Sequence, residues 1–382
     1  MTLTRFVTKN ALRNKRRSVL TVLSLAFSLL LLTLMMTIWR GFYLSQGSAE
    51  SSQRLVVRHR VSLTFSLPSF YREKIRALPG VLAVVPVSWF GGIYKDQKPE
   101  NFFAQFGTDP DEFFKVYRDI QLPPEQFTAW QRDRQGVIVD DTLAKKYGWK
   151  LGDRFVLQGT IYPVDLELYV RGIFHSNPDN KTVYFNTKYV EEAVPTFKGQ
   201  AGTFTILAAT PGDVSKVASA VDDMFRNSPQ PTKAESEQAF GLEFVAMMGN
   251  VKAFILSICS AVVFATLLVS ANTMAMSIRE RTREVAVLKT LGFTKRGVLG
   301  LFVSEAVALS LAGGLIGAGL GWLMVYGLTH SPQFFSFFPM KVTLGIWIAA
   351  ILTSGLVGLL SSAVPSYTAS RVNIVDGLRH IG

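Results

Sequence analysis

The side chains best suited to catalysis or metal binding are few, and their spacing matches no recognised site. The four histidines are far apart and lack the H-E-x-x-H spacing that holds zinc on one helix face; they are His59, His175, His330 and His380. We interpret them as surface or loop residues. Among the neighbouring aspartates, Asp141 is better placed to cap a helix that begins at Thr142 than to perform acid–base chemistry. We therefore predict no metal site and no catalytic residue.

Motifs for nucleotide binding or nucleophilic catalysis are also missing from the sequence. No G-x-x-x-x-G-K-[ST] segment is present to cradle phosphates, so we expect no nucleotide and no other cofactor to bind this chain. No G-x-S-x-G turn is present, and Ser69 and Ser176 have no nearby base. The segment LAGGLIGAGLG lies in an apolar run without a βαβ context, which favours helix packing over dinucleotide binding. A membrane-anchored enzyme is therefore the least favoured class.

The segment from Arg279 to Arg296, RERTREVAVLKTLGFTKR, has the most informative pattern of charge, with six Lys or Arg against two Glu. Apolar residues recur at helical spacing on one face, and charged residues stand at i, i+4 distances on the others. The apolar residues are Val285, Leu288 and Leu291, and the charged ones are Arg279, Glu280, Arg283 and Glu284. We predict a short amphipathic helix that ends at Gly292. Such a helix could pass force from a cytoplasmic partner to the membrane; an ordinary solvated loop is the alternative.

Long apolar runs must position this segment. Hydrophobic residues make up 48% of the 382-residue chain, and the mean hydropathy is +0.25, which points to a membrane protein that carries a soluble part. The run from Ser18 to Trp39 has no charge and is long enough to span roughly 30 Å of hydrocarbon. A cleaved signal peptide is the competing interpretation. The length of the run and the lack of an A-x-A-like site favour an uncleaved anchor.

The sequence thus predicts a membrane α-helical protein with four transmembrane helices and an inserted α/β extracytoplasmic domain. The expected segments are a cytoplasmic amphipathic helix at 1–17, transmembrane helices at 18–40, 250–278, 298–328 and 342–364, the α/β domain at 41–249, a cytoplasmic segment at 279–297, an outer loop at 329–341 and a cytoplasmic tail at 365–382. Basic residues concentrate in the segments assigned to the cytoplasm, as the positive-inside rule requires. Charges in the α/β domain nearly balance, so nucleic-acid binding is not expected.

Two features inside the spans need partners. Gly313, Gly317 and Gly321 recur every four residues and leave one helix face bare enough for close approach by another helix. Packing within one chain and dimerisation explain this stripe equally well. Glu305 lies about 10 Å into its span, where an ionised carboxylate is costly unless it is paired or hydrated. We expect it either to pair with an arginine of the 279–292 segment or a neighbouring helix, or to reach water near the inner interface.

Several local patterns together resemble one family. The basic entry ALRNKRRSVLTVLSLAFS, the element VIVDDTLAKKYGWKLGDRFVLQG followed by LYVRGIF, and the tail PSYTASRVNIVDGLRH are similar to segments of the FtsX- and MacB-like permeases of ABC transporters. The most specific similarity lies in the charged segment, at Arg283, Glu284, Leu288, Lys289, Leu291 and Gly292. The tail departs from the family pattern, because Val375 and Gly377 stand where proline and alanine are commoner.

The resemblance implies a non-catalytic permease subunit of the bacterial cytoplasmic (inner) membrane, with both termini in the cytoplasm. It implies that residues 279–292 couple the spans to a separate ABC ATP-binding subunit, which binds ATP and magnesium. It also implies a second permease copy or paralogue, contact with membrane lipids, and a possible periplasmic adaptor or substrate-binding protein outside. The function would be export, efflux or handling of lipids and lipoproteins by mechanotransmission. An FtsX-like regulator of an extracytoplasmic partner, such as a cell-wall hydrolase, is the alternative.

Overall fold

The computed structural model describes residues 15–43, 49–176, 181–247, 249–330 and 340–371. These residues form two compact units, one of long apolar helices and one α/β domain. Most of the predicted N-terminal helix, most of the tail pattern and most of the outer loop lie outside the described residues.

The helices and strands of both units follow in chain order. The helices are α1 (Lys15–Tyr43), α2 (Tyr71–Arg76), α3 (Pro110–Val116), α4 (Pro124–Arg132), α5 (Asp141–Tyr147), α6 (Thr187–Ala193), α7 (Val214–Met224), α8 (Glu237–Met247), α9 (Val251–Glu280), α10 (Thr282–Thr290), α11 (Lys295–His330) and α12 (Leu344–Ser370). The strands are β1 (Arg54–His59), β2 (Leu67–Pro68), β3 (Val81–Trp89), β4 (Ala104–Thr108), β5 (Gly136–Asp140), β6 (Arg154–Leu157), β7 (Leu166–Phe174), β8 (Thr182–Asn186), β9 (Gln200–Ala201), β10 (Thr203–Ala208) and β11 (Thr232–Ser236).

The first unit contains α1, α9, α11 and α12, each of which is long and apolar enough to cross a membrane. Helix α11 packs most extensively against α12 and α1, and α9 packs against α12 and α1. Hydroxyl groups join α9 to the bundle: Ser270 and Ser361 lie 2.8 Å apart between α9 and α12. In the apolar surroundings of a bilayer, such hydrogen bonds between helices satisfy polar groups that lipid cannot.

The α/β domain is built on a mixed nine-stranded sheet in the order β11-β1-β10-β3-β4-β8-β5-β7-β6. Strand β1 pairs antiparallel with β10 and β11, whereas β4 pairs parallel with β8 and β5 pairs parallel with β7. Helices α2 and α7 cover one face of the first half of the sheet. Helices α3 and α4 cover the opposite face and contact strands of both halves. The last strands pack with α5 and α6 around an aromatic core.

The structure corrects one detail of the predicted α/β domain. Asp140, not Asp141, caps helix α5: its side chain accepts a hydrogen bond from the Thr142 amide at 3.0 Å. Asp140 ends strand β5 in an extended conformation, which is the backbone geometry that an N-cap requires, whereas Asp141 already belongs to the first helical turn. Asp141 instead forms an ion pair with Lys145 at 3.0 Å.

Candidate functional site

The charged segment folds as an elbow between two spans. Helix α9 continues to Glu280, Arg281 breaks the helix with a φ of −109°, and the separate helix α10 follows. Gly292 ends α10 in the left-handed conformation, with a φ of +93°. Glycine adopts this conformation without the steric cost of a Cβ, and the Phe293 amide then donates to the Leu288 carbonyl at 3.0 Å. The predicted short helix and its end at Gly292 are therefore present.

A buried ion pair fastens this elbow to the next span. The Arg281 guanidinium donates through Nη1 to Glu305 Oε2 at 2.7 Å and through Nε to Glu284 Oε2 at 3.0 Å. Its carbon centre also lies 5.2 Å from the centre of the Phe302 ring. Glu305 is only 4% exposed. The structure thus pairs Glu305 with an arginine of the elbow, which is the first of the two predicted arrangements.

A second charged contact joins α1 to the end of α9. Arg17 forms an ion pair with Glu280, and its Nη2 atom donates to the Ser277 hydroxyl at 2.9 Å. Arg17, Ser277 and Glu305 line a cavity of about 20 Å³, enough for one water molecule. The buried Ser310 hydroxyl lines it and has no protein partner in the described part of the chain. Glu280 thus pairs with Arg17, whereas Glu284 pairs with Arg281. The sequence predicted one continuous i, i+4 pattern for these residues, but the helix breaks at Arg281, between the two glutamates.

Helix α10 has an inner face and an outer face. Val285 and Ala286 are buried, and Val285 packs in a cluster with residues of α9, α11 and α12. Lys289 donates to the Ser370 carbonyl of α12 at 2.7 Å. Leu288 is half-buried, but Leu291 is 72% exposed, so the predicted apolar face does not extend to Leu291. Leu291 stands six residues after the buried Val285, and at 3.6 residues per turn this spacing places it about 120° away from Val285 around the helix axis.

Exposed apolar side chains and positive charge share the outer surface of this elbow. Val287 and Phe293 are 43% and 48% exposed, and Leu291 is more exposed than either. Arg279 and Arg283 are exposed as well. We call Val287, Leu291 and Phe293 the outer apolar patch. Apolar side chains grouped on a surface together with arginine are typical of protein interfaces.

The glycine stripe of α11 lies against α1 of the same chain. A Cβ on Gly313 would lie 2.6 Å from Leu25 Cβ, and one on Gly317 would overlap the Ala26 carbonyl oxygen. A Cβ on Gly321 would lie 3.0 Å from Thr33 Cβ. Of the two explanations, packing within the chain therefore accounts for all three glycines. Close approach of the two helices requires a residue without a side chain at these positions.

Sequence reasoning missed two members of this site, Arg281 and Arg17. Arg281 lies between Arg279 and Arg283, and nothing in the local sequence distinguishes it from the other two. The available signal was Glu305, because a carboxylate at that depth requires a cation, but the choice among three arginines depends on where the helix breaks. In the described ranges, no group of three or more His, Cys, Asp or Glu residues could hold a metal ion.

Comparison with known proteins agrees with this architecture. The FtsX-like permease C-terminal domain family matches residues 255–374, which include the elbow and the last two spans. The MacB-like periplasmic core domain family matches residues 18–224, more than half of the chain. The chain belongs to the FtsX/MacB-like permeases of ABC transporters. This permease accordingly combines four transmembrane helices with a periplasmic-type α/β domain, as the sequence predicted, and members of its family work with ATP-binding subunits.

Named relatives match this permease over different lengths. An uncharacterized ABC transporter permease of Methanocaldococcus jannaschii is 22% identical over 98% of this chain and 96% of its own. The uncharacterized ABC transporter permease YknZ of Bacillus subtilis is 30% identical over 38% of this chain and 37% of its own. The macrolide export ATP-binding/permease protein MacB of Neisseria gonorrhoeae is 31% identical over 28% of this chain and 16% of its own. This permease therefore matches well under half the length of the last two proteins.

Proposed function

We propose that this permease is the non-catalytic membrane subunit of an ABC transporter and that a separate ATP-binding subunit docks on α10 and the outer apolar patch. ATP and magnesium bind in that subunit. The resulting movement passes through the spans and does work on the α/β domain, in export, efflux or the handling of lipids or lipoproteins. A second permease copy or a paralogue completes the transporter, surrounded by membrane lipids. A periplasmic adaptor or substrate-binding protein is a further candidate partner.

The observation that carries this proposal is the outer surface of the elbow. Leu291 exposes most of its side chain to solvent, next to Val287 and Phe293. Arg279 and Arg283 place positive charge at the same end of the bundle, so this surface cannot lie in hydrocarbon. Burial of the outer apolar patch against another protein would remove apolar area from water, and the arginines would favour an acidic rim on that protein.

The inner contacts of the elbow support the transmission of force. Helix α10 is joined to α11 through Arg281 and Glu305, and to α12 through Lys289 and the Ser370 carbonyl. Val285 adds apolar packing among the ends of α9, α11 and α12. A displacement of α10 therefore acts on several spans together, because short buried contacts leave little room for independent movement.

The distribution of charge supports an orientation with α10 and both termini in the cytoplasm. Two short segments are strongly basic: the elbow, and residues 1–17, which carry six Lys or Arg and no acidic residue. Basic loops remain on the cytoplasmic side of a membrane. The α/β domain connects α1 to α9 at the other ends of these helices, and it would therefore lie outside the cytoplasm.

The test is to purify the permease in mild detergent from its native membrane, identify the proteins that accompany it by mass spectrometry, and assay ATP hydrolysis. Val287→Glu and Leu291→Glu should each abolish recovery of a Walker-motif ATPase, because each places a carboxylate in the docking surface. Leu82→Glu is the matched control, since Leu82 is an exposed apolar side chain of the α/β domain. Glu284→Lys is a poorer probe of docking, because it would also oppose Arg281. Recovery of no ATPase with the unchanged permease would refute the proposal.

A further inference from the structure

The first and last strands of the α/β domain are neighbours in its sheet. Strand β1 begins soon after α1, and β11 leads directly into α8, which ends shortly before α9. The two strands pair antiparallel over five residues, from Leu55 opposite Ser236 to His59 opposite Thr232. The chain segments that connect the domain to the first two spans are therefore joined inside the domain by a ladder of backbone hydrogen bonds.

Charged side chains strengthen this connection. Arg58 of β1 is 7% exposed and donates through Nε to Glu235 of β11 at 3.1 Å. Arg58 also pairs with Glu243 of α8, and Lys233 pairs with both of these glutamates. Helix α8 is thus tied to β1 as well as to β11. Linked ion pairs of this kind hold geometry better than a single exposed pair.

Arg54, the first residue of β1, joins three parts of the domain. Its two terminal nitrogens contact the two carboxylate oxygens of Asp119 at 2.6 and 3.1 Å, and its Nε donates to Glu237 of α8 at 2.7 Å. The side chain is 4% exposed and lies against the Tyr117 ring, 5.0 Å from its centre. A two-pronged contact between arginine and a carboxylate fixes orientation as well as distance.

Asp119 lies in the turn between α3 and α4, and these two helices cross the middle of the sheet. Helix α3 contacts β3 and β10, whereas α4 contacts β5 and β7 in the other half. Their buried residues form one apolar cluster with strands from both halves, including Ile138 and Leu207. We call residues 110–132 the α3–α4 layer. Arg54 thus connects β1 and α8 to a layer that reaches the far half of the domain.

We propose that Arg54 is the positioning residue that carries movement of the first two spans into the far half of the α/β domain, through Asp119 and the α3–α4 layer. We call the contacts of Arg54 with Asp119 and Glu237 the joint. The proposal rests on the proposed function, because the joint transmits movement only if the spans move. The contact with Glu237 makes β1 move together with α8, and the contact with Asp119 passes this movement to the α3–α4 layer. Without the Arg54 contacts, the movement of the α3–α4 layer is less strongly coupled to the movement of α8.

The experiment measures a distance across this joint in the full-length permease. Spin labels replace Gln238 on α8 and Glu125 on α4, both of which are exposed, and serine replaces the single cysteine, Cys259. The labelled permease is reconstituted with its ATPase in lipid nanodiscs. The distance distribution is recorded without nucleotide and with ATP plus vanadate. The labelled permease with Arg54 and Asp119 unchanged should give one narrow distance distribution in both states, because the joint moves as a unit.

Two substitutions break the joint, and one leaves it intact. Arg54→Gln removes the guanidinium that holds both carboxylates, whereas Asp119→Asn keeps the Glu237 contact and leaves at most one uncharged acceptor facing Arg54 in the α3–α4 layer. Each should widen the distribution about twofold and make it depend on nucleotide, because a charged two-pronged contact is lost. Arg54→Lys should give an intermediate width. Arg226→Gln is the control, because the exposed Arg226–Asp223 pair lies outside the joint.

The experiment distinguishes a failure of the Arg54 inference from a failure of the proposed function. If Asp119→Asn matches the unchanged permease in both nucleotide states, the inference is wrong, even where Arg54→Gln fails to fold. If no ATPase binds the unchanged permease, the proposed function fails. The distance distributions recorded without nucleotide then test the Arg54 contacts independently of any ATPase. A wider distribution in Asp119→Asn supports it, and an unchanged one overturns it.

Discussion

Removal of one partner from the buried Arg281–Glu305 pair should destabilise the helical unit strongly and asymmetrically. The side chains are 10% and 5% exposed, and their closest atoms lie 2.7 Å apart. Loss of one member of a buried pair typically costs about 3–5 kcal/mol, because the remaining charge has no compensation. Arg281→Met leaves Glu305 in that state, so we expect a loss in this range.

Glu305→Gln should be less damaging, for a reason visible in the contacts. Arg281 would retain Glu284, which lies 3.0 Å away and is 38% exposed. The remaining charge is therefore paired and partly hydrated, and the expected loss is about 1–2 kcal/mol. The double variant buries no unpaired charge, so its loss should fall below the sum of the single losses by at least about 2 kcal/mol.

The assay is equilibrium unfolding in mixed micelles of increasing sodium dodecyl sulfate, followed by labelling of the only cysteine, Cys259 of α9. Labelling at this position reports unfolding of the helical unit and not of the α/β domain. Glu280→Gln is the control, because Glu280 is 47% exposed, and its pair with Arg17 should contribute at most about 1 kcal/mol. A coupling energy under about 0.5 kcal/mol between Arg281 and Glu305 would refute the reasoning, because independent sites add within that margin.

Three further predictions concern packing, capping and pH. Gly317→Ala should destabilise the helical unit by about 1–3 kcal/mol in the same labelling assay, because its methyl group would overlap α1, whereas Gly327→Ala, with open space around it, should not. Asp140→Ala should cost the α/β domain about 1–2 kcal/mol, measured by tryptophan fluorescence during denaturation, and Asp141→Ala should cost less. Burial raises the pKa of Asp222, so the folded domain binds this proton more readily than the unfolded chain. Its contribution should therefore become more favourable as pH falls through the raised pKa, and the change should disappear in Asp222→Asn; an identical pH profile in both proteins would contradict this.

Short elements with polar or mixed sequences were not predicted. The sequence pattern predicted seven strands in the domain, at 54–57, 82–89, 137–139, 154–157, 166–173, 182–184 and 203–208, and all seven are present. Strands β2, β4, β9 and β11 and helices α4 and α8 were not predicted. The residues of β11, TKAES, have little strand propensity, and the strand exists because β1 offers a partner at the sheet edge. Pairing of this kind overrides local preference, and it is invisible when the segment is considered alone.

Local sequence patterns were enough to predict the four spans, the inserted α/β domain and the position of the elbow. These features depend on local patterns, because apolar length, helical spacing and the backbone freedom of Gly292 act within a few residues of each other. The pairing of charges, in contrast, depends on how distant segments pack against each other. Arg54 reaches Asp119 and Glu237, and Arg281 reaches Glu305, across separations that no local pattern encodes. Burial makes each of these arginines require a counter-charge, but only the packed helices and strands determine which carboxylate lies within reach.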